Sequence, residues 1–271
     1  MSIVNFPRGS VNFDDLPKRH RAAAAQKILG ELVALNPVQN KTVSVDTIAI
    51  TTKISSLFDA ARFGLMPVSR FKRGKRKKSQ TKRWHLEFEH ITGAILKITY
   101  TQKFGHWLTV ETSLPLFARG SNLRRLNYAE RIEAIESLSA VVSERLGFPV
   151  NLFNGNFSRI DLFQDIRFGT FENLILAIAA FKQLKISNRR LSSFDFTSSV
   201  GWKSTGKKKT THKVIAYDKT AERLAHGEKI PVGILRIESQ YFDNDYYRGY
   251  SVRNLLSDEM IRQLYFAHLW Q

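Results

Sequence analysis

Trp84-His85-Leu86-Glu87-Phe88-Glu89, Ala94-Ile95-Leu96-Lys97-Ile98-Thr99-Tyr100-Thr101 and Trp107-Leu108-Thr109-Val110-Glu111-Thr112-Ser113 decide the fold class. In each run apolar and polar residues alternate over most of the length, the period of a strand with one buried face. Thr92-Gly93 and Phe104-Gly105 separate the runs and carry turn chemistry. The segment therefore reads as three consecutive antiparallel strands. Upstream, Val43 to Thr52 is rich in β-branched residues and reads as another strand.

Downstream, helices enter. Asn127 with Glu130 three residues on is a capping-box pattern. Ile132, Ile135, Leu138, Val142 and Leu146 form the stripe behind it, and Gly147 with Pro149 stops the helix. Phe157 to Phe163 reads as a strand, and Phe171 to Leu184, capped by Thr170, as a helix apolar on most faces. Phe194 to Val200, Lys213 to Tyr217 and Gly233 to Tyr241 read as strands, with a last helix from Ser251 or Ser257 to His268. The order predicts an α+β fold, a mostly antiparallel sheet covered by helices. Residues 1–40 are expected to be an N-terminal helical extension, with the alanine run Ala22 to Ala25 leading into Ile28, Leu29, Leu32 and Val33. Residues 41–271 are expected to form the main domain.

Charge narrows the partner. The 271 residues carry 42 Lys and Arg against 24 Asp and Glu, a formal charge of +18. Such an excess repels itself unless a polyanion meets it, so nucleic acid is the first expectation and an anionic membrane surface the second. Residues 70–83 hold nine Lys or Arg and no acid, including Arg73, Lys75, Arg76, Lys77 and Lys78, and are expected to be a mobile basic arm. Lys207, Lys208 and Lys209 read as a hairpin tip straddling a phosphate backbone, and Arg124 and Arg125 as a further basic patch. No stretch has the roughly 20 apolar residues of a membrane span. No secretory leader is legible, and there is no cysteine. A cytoplasmic protein is expected. No phosphate loop, dinucleotide fingerprint or nucleophile elbow is present, which argues against an ATPase, a nicotinamide enzyme and an α/β-hydrolase.

Against that basic background a few acids stand out. Arg159-Ile160-Asp161 and Arg236-Ile237-Glu238 each set an Arg and a carboxylate on one side of a strand. Buried, such groups must be paired or hold a cation. Asp161 and Glu238 are thus candidate ligands for Mg²⁺ or Mn²⁺. The alternative is two architectural Arg–carboxylate pairs. His85 and Glu87 share a strand face and form a second metal candidate. Tyr246 and Tyr247, beside Asp243 and Asp245, are either a nucleophile for strand transfer or a packing and base-stacking cluster.

Val45-Asp46-Thr47-Ile48, Thr112-Ser113-Leu114-Pro115-Leu116-Phe117 with Gly120-Ser121-Asn122-Leu123, Ser158-Arg159-Ile160-Asp161, Ala216-Tyr217-Asp218-Lys219 with Glu222, and Leu235-Arg236-Ile237-Glu238 stand in an ordered series. In this order they resemble the rolling-circle replication initiators of phages and plasmids, the filamentous-phage gene II type above all. The resemblance spans roughly Val43 to Asp258. It implies a fold similar to replication-initiator nuclease domains and a site-specific DNA endonuclease. In that class a tyrosine attacks the phosphodiester, stays joined to the 5′ phosphate and leaves a 3′ hydroxyl, while a divalent ion polarises the phosphate. It further implies Asp161 and Glu238 as the acids, Arg159, Arg236 and Lys219 toward DNA, single-stranded or origin duplex DNA as partner, and a host helicase or polymerase beside it. The tyrosine the class carries just before Tyr217-Asp218-Lys219 is missing from Ser199 to Ser204, which leaves Tyr247 and Tyr246 as the candidates. A catalytically inactive origin-binding relative or repressor is the alternative, and an RNA-binding protein a third reading.

Overall fold

The computed structural model describes residues 16–34, 42–55, 59–68, 82–102, 104–184, 189–192, 199–204, 211–225, 227, 233–242 and 246–269. In chain order the elements are α1 (Lys18–Ala34), β1 (Ser44–Lys53), β2 (Met66–Pro67), β3 (Lys82–Glu89), β4 (Ile95–Gln102), β5 (His106–Ser113), α2 (Leu114–Arg119), α3 (Tyr128–Leu146), β6 (Asn156–Arg167), α4 (Phe171–Gln183), β7 (Arg189–Ser192), β8 (Ser199–Ser204), β9 (His212–Asp218), α5 (Lys219–Ala225), β10 (Ile234–Tyr241), α6 (Val252–Leu255) and α7 (Asp258–Leu269). The fold is α+β with antiparallel strand pairing. The chain divides into two compact units, one of residues 44–162 and 241–264, the other of residues 1–43, 163–240 and 265–271.

In the first unit the strands lie in the order β2-β3-β4-β5-β1-β6. The three alternating runs between Trp84 and Ser113 are β3, β4 and β5, joined by turns at Gly93 (φ 81°) and at Phe104 and Gly105 (φ 51° and 130°). Register places Leu86, Ile98, Val110 and Ile50 in one row across four strands, and Glu87, Lys97, Glu111 and Ala49 in the row beside it. Alternation sends those rows to opposite faces. The apolar face is covered by α3, which buries Ala134, Ile135, Leu138, Val142 and Leu146, and whose Arg145 lies over the Phe88 ring at 5.4 Å. The predicted capping box is present: Asn127 Oδ1 accepts from Glu130 N at 3.0 Å and Glu130 Oε2 from Asn127 N at 2.8 Å. Gly147 ends α3 in the left-handed region (φ 66°), where a side chain is strained.

Thr112 to Phe117, a motif in the sequence reading, contains a helix start: α2 opens with Pro115 in its first turn and closes on Gly120. The Phe157–Phe163 strand is longer than expected and runs Asn156–Arg167 as β6. The last helix is two, because Ser251 caps α6 and Ser257 accepts from Met260 N. Both proposed starts are therefore real.

In the second unit the strands follow the order β6-β10-β9-β8-β7. Here α1 packs against α4 and buries Ala25, Ile28 and Leu32. The N-terminal helix forms where expected and belongs to this unit's core. On α4, Phe181 meets buried Trp202 of β8, ring centroids 6.2 Å apart, which puts the helices on the Trp202 side of the strands. The strand expected over Phe194 to Val200 is described from Ser199 to Ser204; residues 193–198 lie outside the described residues, as do 69–81 of the basic arm and 205–210. The short β2, β7 and α5 were not legible. Among the described residues no helix is long and apolar enough to cross a membrane.

A close approach in the first unit is testable. A Cβ on Gly155 would stand 2.7 Å from Ile50 Cγ2 and 2.8 Å from the Thr51 carbonyl oxygen. Gly155→Ala is expected to lower unfolding free energy by about 1–3 kcal/mol, read as a drop in the denaturation midpoint in urea; an unchanged midpoint would show that this contact relaxes freely.

Candidate functional site

Strand β6 aligns Arg159, Asp161, Phe163 and Asp165 on one face, by the period of two. In the first unit the Arg159 guanidinium grips Asp161 with two hydrogen bonds, Nε to Oδ1 at 3.0 Å and Nη2 to Oδ2 at 2.6 Å. Its Nη1 donates to Glu111 Oε1 at 2.8 Å, and its plane lies over Phe242 at 5.4 Å. Asp46 adds a third carboxylate nearby and accepts from Ser113 Oγ at 2.8 Å. Asp161 is 2 % exposed. Burial pushes its carboxyl up to about 6; the Arg159 hydrogen bonds and charge oppose this, and the charges of Asp46 and Glu111 add to it.

In the second unit the other arginine has a different partner. Arg236 is 0 % exposed and donates to Asp165, Nε to Oδ1 at 2.7 Å and Nη2 to Oδ2 at 2.9 Å, with Phe163 under the guanidinium at 3.7 Å. Glu238, the acid two residues on, accepts from the Tyr217 hydroxyl at 3.3 Å and from Gln240 Nε2 at 2.8 Å. Lys219 is buried; its Nζ donates to Glu222 Oε1 at 2.5 Å and sits 5.7 Å from the Tyr217 ring centroid. Asp218 caps α5 by accepting from Ala221 N at 2.9 Å. The Tyr-Asp-Lys string and the Leu-Arg-Ile-Glu string thus meet through a phenol and a carboxylate, and Ser199 of β8 pairs opposite Tyr217.

The remaining nominated residues fall elsewhere. His85 and Glu87 lie on the less buried face of β3, Nε2 to Oε2 at 3.6 Å, with Lys97 at 3.9 Å from the same carboxylate and Thr99 on His85 Nδ1. Tyr247 is 3 % exposed and edges against Phe157, while Tyr246 stacks edge-on to Tyr241 at 5.2 Å. Tyr247 is thus buried and Tyr246 half-exposed. Arg124 is exposed and Arg125 half-buried. Arg236 and Lys219, nominated for DNA, face carboxylates inside the fold instead, because an unpaired buried cation is prohibitively costly. Arg73, Lys75, Arg76, Lys77, Lys78, Lys207, Lys208 and Lys209 lie outside the described residues. A cavity of about 280 Å³ lined by His90, Phe117, Arg119 and Glu133 contains none of the nominated side chains.

Divalent ions such as Mg²⁺ and Mn²⁺ are demanding of their donors. Such ions take several oxygen ligands with open lone pairs. Both Asp161 oxygens are engaged by Arg159, both Glu238 oxygens by Tyr217 and Gln240, and the two acids belong to different units. Among the described residues no group of three or more His, Asp or Glu is placed to hold a metal ion. As folded, the nominated acids do not form a ready cage. Sequence reasoning missed Asp165 as the partner of Arg236 and Tyr217 as the partner of Glu238. The first was in reach, since Asp165 repeats the Asp161 position four residues on; the second needed the β9–β10 pairing. No protein-family model matches the chain, and no curated protein matches it.

Two outcomes follow from these charges. Asp161 binds a proton more tightly folded than unfolded, so its contribution to stability is full below 3.8 and lost as pH rises through about 6. Wild type minus Asp161→Asn is expected to fall with pH across that window, by at most about 3 kcal/mol, in unfolding free energies measured at several pH values; a flat difference would place the Asp161 carboxyl at its ordinary value. Asp165→Asn leaves the Arg236 cation buried without its carboxylate and is expected to cost about 3–5 kcal/mol, while Arg236→Met with Asp165→Leu recovers most of that loss in the same assay.

Proposed function

We propose that the chain is a DNA-binding initiator of rolling-circle replication that cuts one strand, with a tyrosine hydroxyl attacking the phosphodiester. The observation that carries the reading is the meeting of Tyr217 and Glu238, 21 residues apart in sequence, at 3.3 Å. A phenol held by a carboxylate is the local arrangement that nucleophilic attack on phosphorus needs. The formal charge of +18 supports a polyanionic substrate, and the ordered motif strings support this class over other DNA binders. Single-stranded or origin duplex DNA is the substrate on this reading, with a host helicase or polymerase acting on the exposed 3′ end. Mg²⁺ or Mn²⁺ belongs to the class and would polarise the scissile phosphate when bound. Asp161 and Glu238 are engaged by Arg159, Tyr217 and Gln240 in this fold.

A second reading has its own observation. The packing of Tyr246 and Tyr247 and the saturation of Asp161 by Arg159 favour an origin-binding relative or repressor that does not cut. Incubation with single-stranded DNA and Mg²⁺ or Mn²⁺, and with chelator, separates the two: protein joined to a 5′ end supports the initiator, and salt-sensitive binding with intact strands supports the repressor.

Binding itself is testable through salt. Each neutralised phosphate contributes about 0.7 to the slope of log affinity against log salt on single strands. Changing Lys207, Lys208 and Lys209 together to Ala is expected to reduce that slope by about 2, measured by fluorescence anisotropy over a salt series; an unchanged slope would remove these lysines from the DNA interface.

A further inference from the structure

Within the strand-cutting reading, on which this rests, we infer that the attacking nucleophile is Tyr217 and that Glu238 is its proton acceptor. An attacking phenol must reach substrate and must have a base within hydrogen-bond distance of its hydroxyl. All eight tyrosines are among the described residues. Tyr241 and Tyr265 are fully buried and donate to the backbone carbonyls of Leu264 and Ile237. Tyr100 and Tyr247 are 3 % exposed, and half-exposed Tyr246 has its ring edge-on to Tyr241. Tyr128 and Tyr250 are exposed, but no carboxylate among the described residues takes their hydroxyls. Tyr217 is half-exposed and donates to a carboxylate that is itself 6 % exposed.

The surroundings of the pair hold it in one geometry. Gln240 donates to the second Glu238 oxygen, which leaves Oε1 aimed at the phenol. Lys219, fixed by Glu222, sits beside the Tyr217 ring at 5.7 Å and fastens the ring by cation–π attraction. Arg236, next but one along β10, is tied to Asp165 through Nε and Nη2. On β9 the alternation buries Val214 and Ala216 and turns Ile215 and Tyr217 to the less buried face. The phenol therefore points away from the side that α4 covers through Phe181 and Trp202.

The step balances. The Tyr217 Oη–phosphorus bond forms as the phosphorus–O3′ bond breaks. The phenolic proton passes to Glu238, and the departing 3′ oxygen takes a proton from solvent. The products are a 5′ phosphotyrosyl end and a 3′ hydroxyl, with no change in oxidation state.

The test maps the covalent adduct. The full chain is incubated with a random-sequence single-stranded DNA library and Mn²⁺, digested with nuclease and trypsin, and searched by mass spectrometry for a nucleotide-bearing tyrosine. The expected product is the adduct on the peptide Val214–Lys219, whose single tyrosine is Tyr217. Tyr217→Phe is expected to abolish it while DNA affinity and the thermal midpoint stay as in wild type. Glu238→Gln, which keeps the shape and an acceptor oxygen, is expected to slow adduct formation by about 100-fold at unchanged DNA affinity. An adduct on a peptide holding Tyr246, Tyr247 or Tyr250 would overturn the assignment and leave strand cutting standing. Intact DNA and no adduct with wild type would overturn both. Tyr217→Phe retaining the adduct would overturn the assignment alone.

Discussion

The constraint on which the structure turns is the cost of holding guanidinium groups out of water. Arg236 has no exposed surface and survives there because Asp165 meets its fork with two hydrogen bonds and Phe163 receives its face. A fork and a carboxylate match in shape as well as charge, which a lysine ammonium does not. Arg131, buried on α3, solves the same problem with the carbonyls of Leu126 and Leu256 and with Asp258, and so ties α3 to the segment around α6 and α7. Arg159 solves it with two acids at once. In a chain with 18 more basic than acidic residues, the acids are scarce, and the fold spends several of them on buried cations.

That use of the acids reshapes the candidate site. Asp165 takes the Arg236 guanidinium through Nε and Nη2, while Glu238 accepts from Tyr217 and Gln240. At Asp161 burial raises the affinity for a proton, Arg159 opposes it, and the like charges of Asp46 and Glu111 add to it. Two acids at equivalent places in two similar strings thus end with different chemistry. One is a buried carboxylate inside an ion-pair cluster, the other a hydrogen-bond acceptor beside a half-exposed phenol.

Much of the fold was legible because it rests on local patterns. The alternation from Trp84 to Ser113, the Asn127–Glu130 box and the Gly147 stop each depend on residues within a few positions of one another, and each forms as read. The short elements β2, β7 and α5 lack enough residues to show a period. The site was less legible for a different reason. Arg236 and Glu238 share a strand face, and the sequence invites pairing them, but side chains two apart on a strand compete with cross-strand neighbours that the sequence does not identify. Asp165 won that competition. Tyr246 and Tyr247 look exposed in a polar stretch, yet Phe157 and Tyr241 pack them.

From the amino-acid order alone came the strand and helix periods, the caps, the excess of positive charge and the small set of acids able to do chemistry, since each is a property of neighbours along the chain. Which carboxylate neutralises which cation, and which phenol meets Glu238, depends on strand register. Register depends on contacts between residues far apart in sequence, and a hydrogen bond or an ion pair exists only when that distant geometry brings two particular atoms within about 3 Å.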